Sequence, residues 1–168
     1  MAKIQIIDTI KGHNFLAIQS IIDILQKYKP DWARTKIEIL SKEKSTIIVL
    51  LDKNINDAKK PIGIDLKSKL QLDPEEIKTF ISGVNIELLD KIKASSFFII
   101  EKANNIFQKH KLDLKEYKIE VIGEGSSIIV IFSDKERIVG SRGSTGKLGF
   151  EVELNSNDLQ VIRSNFIR

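Results

Sequence analysis

Residues 15–53 read FLAIQSIIDILQKYKPDWARTKIEILSKEKSTIIVLLDK, and residues 97–135 read FFIIEKANNIFQKHKLDLKEYKIEVIGEGSSIIVIFSDK. Laid on one another at an offset of 82, the two stretches match without a gap. Phe15 meets Phe97, Ile18 meets Ile100, Ile24 meets Ile106 and Gln26 meets Gln108. Asp31 meets Asp113, the triplet Lys36-Ile37-Glu38 meets Lys118-Ile119-Glu120, and Asp52 meets Asp134. The same offset extends outward, pairing Asp8 with Asp90, Lys11 with Lys93, Leu66 with Leu148 and Leu72 with Leu154. Twenty-one of 82 compared positions are identical. A match that also preserves the order of apolar patterns points to one unit repeated in tandem. Two copies are too few for a solenoid, so the expectation is a pair of small units, 1–82 and 83–168.

Each unit predicts a helix followed by a four-stranded antiparallel meander, an α+β fold. Phe15, Ile18, Ile22 and Leu25 recur at helical spacing, which predicts a helix over 14–27 with Asn14 as its cap and Lys29-Pro30-Asp31 as its end. Ile100, Ala103, Ile106 and Phe107 mark its counterpart, capped by Ser95 or Ser96 or starting as early as Glu87. Lys36 to Ile39 alternates polar and apolar, as a half-buried strand does. Thr46 to Leu51 is continuously apolar after its first residue, as in a central strand. In the second copy, 118–122 and 128–132 flank Gly123-Glu124-Gly125-Ser126, a hairpin whose glycines tolerate positive φ. Period two makes Ile37, Ile39, Ile119 and Val121 core and turns Glu38 and Glu120 outward.

The last hairpin is clearest in the second copy. Phe150 to Leu154 alternates, Asn155-Ser156-Asn157-Asp158 is a turn cluster, and 159–167 is a final strand. In the first copy, Asp73-Pro74-Glu75-Glu76 alone looks like a helix start, with cap, proline and acidic first turn. The repeat argues instead for a turn followed by a strand over 77–81, and the expectation follows the repeat.

Composition narrows the function classes. The chain of 168 residues has no cysteine, which excludes disulfides and thiolate chemistry and suits a reducing compartment. Apolar runs such as Ile47–Leu51 reach strand length only, far short of the ~20 residues a spanning helix needs. The expectation is a cytoplasmic protein without membrane contact. Net charge is +4, from 27 basic and 23 acidic residues, interleaved rather than blocked. That balance argues against a nucleic-acid binder, which carries a basic stripe.

Candidate chemistry is sparse. Ser141-Arg142-Gly143-Ser144-Thr145-Gly146-Lys147-Leu148 echoes a phosphate loop, but lacks its first glycine and the hydroxyl residue after the lysine, and leads into a strand. Glu151 and Glu153 share one strand face and read as its solvated side. Two histidines, His13 and His110, give no ligand spacing, so no metal, cofactor or catalytic set is expected. The residues singled out for binding are Lys59, Lys60, Arg142 and Lys147, which put a basic loop at matching places in the two copies, and Trp32. Arg137 belongs with the basic loop of the second copy.

The end of the chain, from Ser126, carries a strand, a glycine-rich loop and a hairpin marked by Gly149, Val152, Leu154, Leu159 and Val161. In outline this resembles small bacterial immunity-type domains with a cystatin-like or nuclear-transport-factor-like fold. Their hairpins carry a Thr-Gly turn where this chain has Asn157-Asp158, and no functional residue is carried over. The resemblance implies a cytoplasmic, non-enzymatic protein that blocks a toxin partner. The functional expectation is therefore a non-catalytic protein-binding module. The alternatives are a ligand-binding or enzymatic domain on the concave sheet face and a weak nucleic-acid binder through the paired basic loops.

Overall fold

Apolar alternation builds two antiparallel sheets, each with a helix on one face. The computed structural model describes residues 3–28, 30–52, 62–136 and 147–167. In chain order the elements are β1 (Ile4–Lys11), α1 (Gly12–Gln19), α2 (Ile22–Gln26), β2 (Thr35–Lys42), β3 (Ser45–Asp52), β4 (Ile62–Asp65) and β5 (Gln71–Leu72). Then follow α3 (Pro74–Ser82), β6 (Ile86–Lys93), α4 (Ala94–Phe107), β7 (Tyr117–Glu124), β8 (Ser127–Asp134), β9 (Gly149–Asn155) and β10 (Val161–Ile167). One sheet has the order β5-β4-β3-β2-β6 and the other β1-β7-β8-β9-β10. The α+β class and the antiparallel meander are as expected.

The compact units divide differently from 1–82 and 83–168. One holds Asn14–Ser95; the other holds Ser96–Arg168 together with Met1–His13. The reason is a fifth strand in each sheet. β6 leads into α4 yet pairs with β2, and β1 leads into α1 yet pairs with β7. Each of these strands carries a bulge, at Ile7 in β1 and at Leu89 in β6. A bulge inserts one residue and shifts the period-two phase. Ile86, Leu88, Leu89 and Ile92 therefore imitate helical spacing, and the early helix start near Glu87 is really β6.

In the Ser96–Arg168 unit, α4 covers the inner sheet face. Phe97, Ile100, Ala103 and Phe107 are buried against Ile119, Val121, Val130, Phe132, Phe150 and Val152. Phe107 stacks on Phe132 with centroids 4.4 Å apart and meets Tyr117 edge-on at 5.0 Å. In the Asn14–Ser95 unit, Phe15, Ile18, Ile22 and Leu25 are buried, as are Ile37, Ile39, Ile48, Leu50 and Ile64. The expected core residues Ile37, Ile39, Ile119 and Val121 are all buried, while Glu38 and Glu120 are half-buried.

Local expectations are corrected at four places. The helix over 14–27 is two helices, interrupted at Ser20, whose hydroxyl donates to the Ala17 carbonyl at 2.6 Å. Such back-bonding competes with the helical ladder. The helices begin at Gly12 and Ala94, so Asn14 and Ser96 lie in their first turns rather than capping them. Their side chains reach strands instead: Asn14 Nδ2 donates to Asp90 at 2.8 Å, and the Ser96 hydroxyl donates to Asp8. Residues 74–82 form a helix, not a turn and strand, because Asp73 accepts the Glu76 N–H at 2.8 Å and Pro74 occupies the first position. Finally, Leu159 sits in the turn at φ 57°, and the last strand starts at Val161.

The offset of 82 holds for β1 and β6, β2 and β7, and β3 and β8, whose first residues are 4 and 86, 35 and 117, and 45 and 127. It fails beyond them. Val49 pairs with Gly63, whereas Ile131 pairs with Glu151, so the corresponding positions now stand 88 apart. Leu72 and Leu154 are therefore not counterparts, and neither are Leu66 and Leu148. The residues at the places of Glu151 and Glu153 in the other sheet are Gly63 and Asp65.

Candidate functional site

Side chains alternate across a strand, so the inner residues already assigned leave a defined outer set on each sheet. In the Asn14–Ser95 unit the outer residues Leu40, Ile47 and Val49 are 8%, 1% and 1% exposed. They are covered by Phe80 of α3, with Leu51, Leu72 and Ile86 packed around them. Ile77 of α3 is fully buried and sits over Gly63, where an added Cβ would come within 2.9 Å of its Cδ1. The glycine is what lets the helix approach the sheet.

The matching positions in the other unit are Ile122, Ile129 and Ile131, and all three are only half-buried. Next to them on β1, Ile4 and Ile6 are 64% and 62% exposed, and Ile6 pairs with Ile122. Among the described residues, no helix of this unit lies over that face. Five isoleucines thus form a contiguous, partly open apolar surface on β1, β7 and β8.

Charges border it. Arg163 on β10 is 3.9 Å from Glu151 and in closer contact with Glu153. Glu153 also accepts the Ser127 hydroxyl at 2.8 Å. The Arg163 hydrogen bond, then the Ser127 one, hold the Glu153 carboxyl below its usual range. Lys118 and Glu120 pair at 3.5 Å further along β7. Glu151 and Glu153 thus form an ion-paired outer face whose side chains are only 20% and 18% exposed, not the freely solvated side expected of that strand.

The binding residues expected from sequence do not assemble here. Lys59, Lys60, Arg137 and Arg142 lie outside the described residues, as does most of the loop that echoes a phosphate loop. Lys147 is exposed and donates to Glu116 at 2.9 Å, with Lys135 at 3.5 Å from the same carboxylate. Trp32 is half-buried in the turn before β2. His110 packs its ring on Phe150 and Phe166, each at 4.8 Å, while His13 is exposed. Among the described residues, no three of His, Cys, Asp and Glu come together to hold a metal ion. None of their helices is long and apolar enough to cross a membrane.

The open isoleucine face was missed because the run 128–132 reads as core on both sides. That run was itself a signal: a strand apolar at every position needs cover on two faces.

The carboxylates predict acid sensitivity. The Lys147 hydrogen bond, with Lys135 nearby, holds Glu116 below its usual range, and Glu153 is lowered as described. A lowered folded-state pKa contributes stability above the unfolded value and loses it as pH falls through the folded one. The urea midpoint should therefore fall between about pH 5 and pH 3. Glu116→Gln combined with Glu153→Gln should flatten that dependence; an unchanged slope would show that these pairs contribute nothing.

No family model, curated protein or solved structure matches this chain.

Proposed function

We propose that the chain is a non-catalytic protein-binding module, built by tandem duplication and working in the cytoplasm, and that its open sheet face is the binding surface. One observation carries this reading. The outer apolar positions that α3 covers in one unit stand half-exposed in the other, beside Ile4 and Ile6, which are more than half exposed. Exposed contiguous apolar surface with a polar rim is the common mark of an interaction site. The offset of 82 shared by three strand pairs supports the duplication, and the absence of cysteine fits a reducing compartment. An immunity-type inhibitor of a bacterial toxin is the form of module that the C-terminal hairpin resembles.

Affinity capture from the native host tests the reading, with the intact chain and Ile6→Glu compared. Ile6 lies on an edge strand and is 62% exposed, so the variant should fold, which its circular dichroism and unfolding midpoint verify. The expected result is a protein retained by the parent chain and lost from the variant. Equal retention by both would overturn the assignment of the face.

A further inference from the structure

The Asn14–Ser95 unit shows what its own outer face accepts: an amphipathic helix, with Ile77 and Phe80 of α3 turned to the sheet. It also shows the charge arrangement of that seat. Lys42, at the end of β2, borders the same groove as Asp73, Glu75 and Glu76 at the start of α3. The Lys42 ammonium itself lies against Gly83, at the C-terminal end of α3, where the helix dipole favours a cation.

At the corresponding places the other unit carries carboxylates. Glu124 stands at the end of β7 where Lys42 ends β2. Glu151 stands opposite Ile131 where Gly63 stands opposite Val49. The seat that accepts the Ile77 side chain is filled by a carboxylate-bearing side chain. Glu151 and Glu153 share one cation, Arg163, whose pKa is raised first by its hydrogen bond to Glu153 and also by Glu151 and Glu124. Two carboxylates on one guanidinium leave a local excess of negative charge, and Glu124 stands on the same outer face at the end of β7.

We propose, resting on the protein-binding reading above, that this face takes an amphipathic helix of a partner protein. The helix lays an apolar stripe over Ile6, Ile122 and Ile129 and turns a flank of lysine or arginine towards Glu124, Glu151 and Glu153. Helix-in-groove recognition uses apolar anchors at i, i+3 or i+4 and i+7, and an open sheet face with a charged border supplies both the anchor surface and the polarity. Charge sign sets partner choice here more than raw affinity does.

The test uses the full chain and two synthetic helical peptides of ~18 residues with the same leucine stripe, one flanked by lysines and the other by glutamates. Binding is followed by fluorescence anisotropy and mapped by amide chemical-shift changes. The lysine peptide should bind about fivefold tighter than the glutamate peptide at low salt, with the difference shrinking as salt rises. Its shifts should fall on β1, β7 and β8. Glu124→Lys should narrow or reverse the preference, and Ile6→Glu should weaken the lysine peptide about tenfold. Binding by neither peptide, equal binding of both, or shifts on other strands would overturn the proposal. So would self-association abolished by Ile6→Glu, which would make a second copy the occupant. If peptide selectivity fails but Ile6→Glu still abolishes capture of the host protein, the helix chemistry is wrong and the protein-binding reading stands. If capture also survives Ile6→Glu, both are wrong.

Discussion

Replacing Phe107 with alanine should destabilise the Ser96–Arg168 unit by about 3–5 kcal/mol. Phe107 is fully buried at the end of α4 and touches three strands of the sheet below it. It stacks on Phe132 at 4.4 Å, meets Tyr117 edge-on at 5.0 Å and lies 5.9 Å from Phe150. The substitution removes the burial of one large ring and leaves a cavity walled by other rings, which cannot collapse freely into it. Hydrogen exchange of the β7 and β8 amides, read beside urea unfolding, assigns the loss to this unit. A loss under about 1 kcal/mol would mean that α4 is held chiefly by Phe97 and Ile100, about two to three turns away.

Ile77→Ala should cost the Asn14–Ser95 unit about 2–5 kcal/mol, the range for emptying a buried aliphatic site. The effect also has a structural consequence. Ile77 is the one buried residue of α3 and occupies the space above Gly63. Without it, Phe80 is the remaining anchor over Leu40, Ile47 and Val49. The helix should fray, shown by loss of exchange protection over 74–82 with the β2 and β3 amides unchanged. The cap between Asp73 and the Glu76 N–H is then too weak to hold nine residues helical, since a cap contributes only ~1 kcal/mol. Full protection of α3 in the variant would show that the helix does not depend on the sheet face, and would remove the precedent for a helix on the opposite unit.

The isoleucine face adds a contrast to these two core positions. Burial of Leu40, Ile47 and Val49 comes from a segment, 73–82, that has no helical counterpart after β9. There the chain turns at Asn155–Gln160 and runs straight into β10, an edge strand with nearly every residue exposed. The two turns themselves match. Asp65 and Asn155 each accept the N–H of the fifth turn residue and donate to the carbonyl of the sixth, with Lys69 and Leu159 both at positive φ. After that turn one unit forms the two-residue strand β5 and then a helix across its sheet, while the other forms the seven-residue strand β10.

The sequence by itself determined the α+β class, the antiparallel hairpins, the inward face of β2 and β7, and the helical stripes of Phe15 and Phe97. All of these rest on local periodicity, where side-chain direction follows from the spacing of neighbours along the chain. Asp73-Pro74-Glu75-Glu76 is also legible as a helix start, and the repeat misleads there because the two units no longer keep the same offset. Only the tertiary structure decided which sheet receives β1 and β6. Both strands are joined covalently to a helix of one unit and hydrogen-bonded to a strand of the other, and no local pattern encodes a partner so distant in sequence. The same holds for the candidate site. Ile129 and Ile131 have the same neighbours in sequence whether or not their outer face is covered, and exposure depends on whether another segment arrives there, which for Ile47 and Val49 is α3.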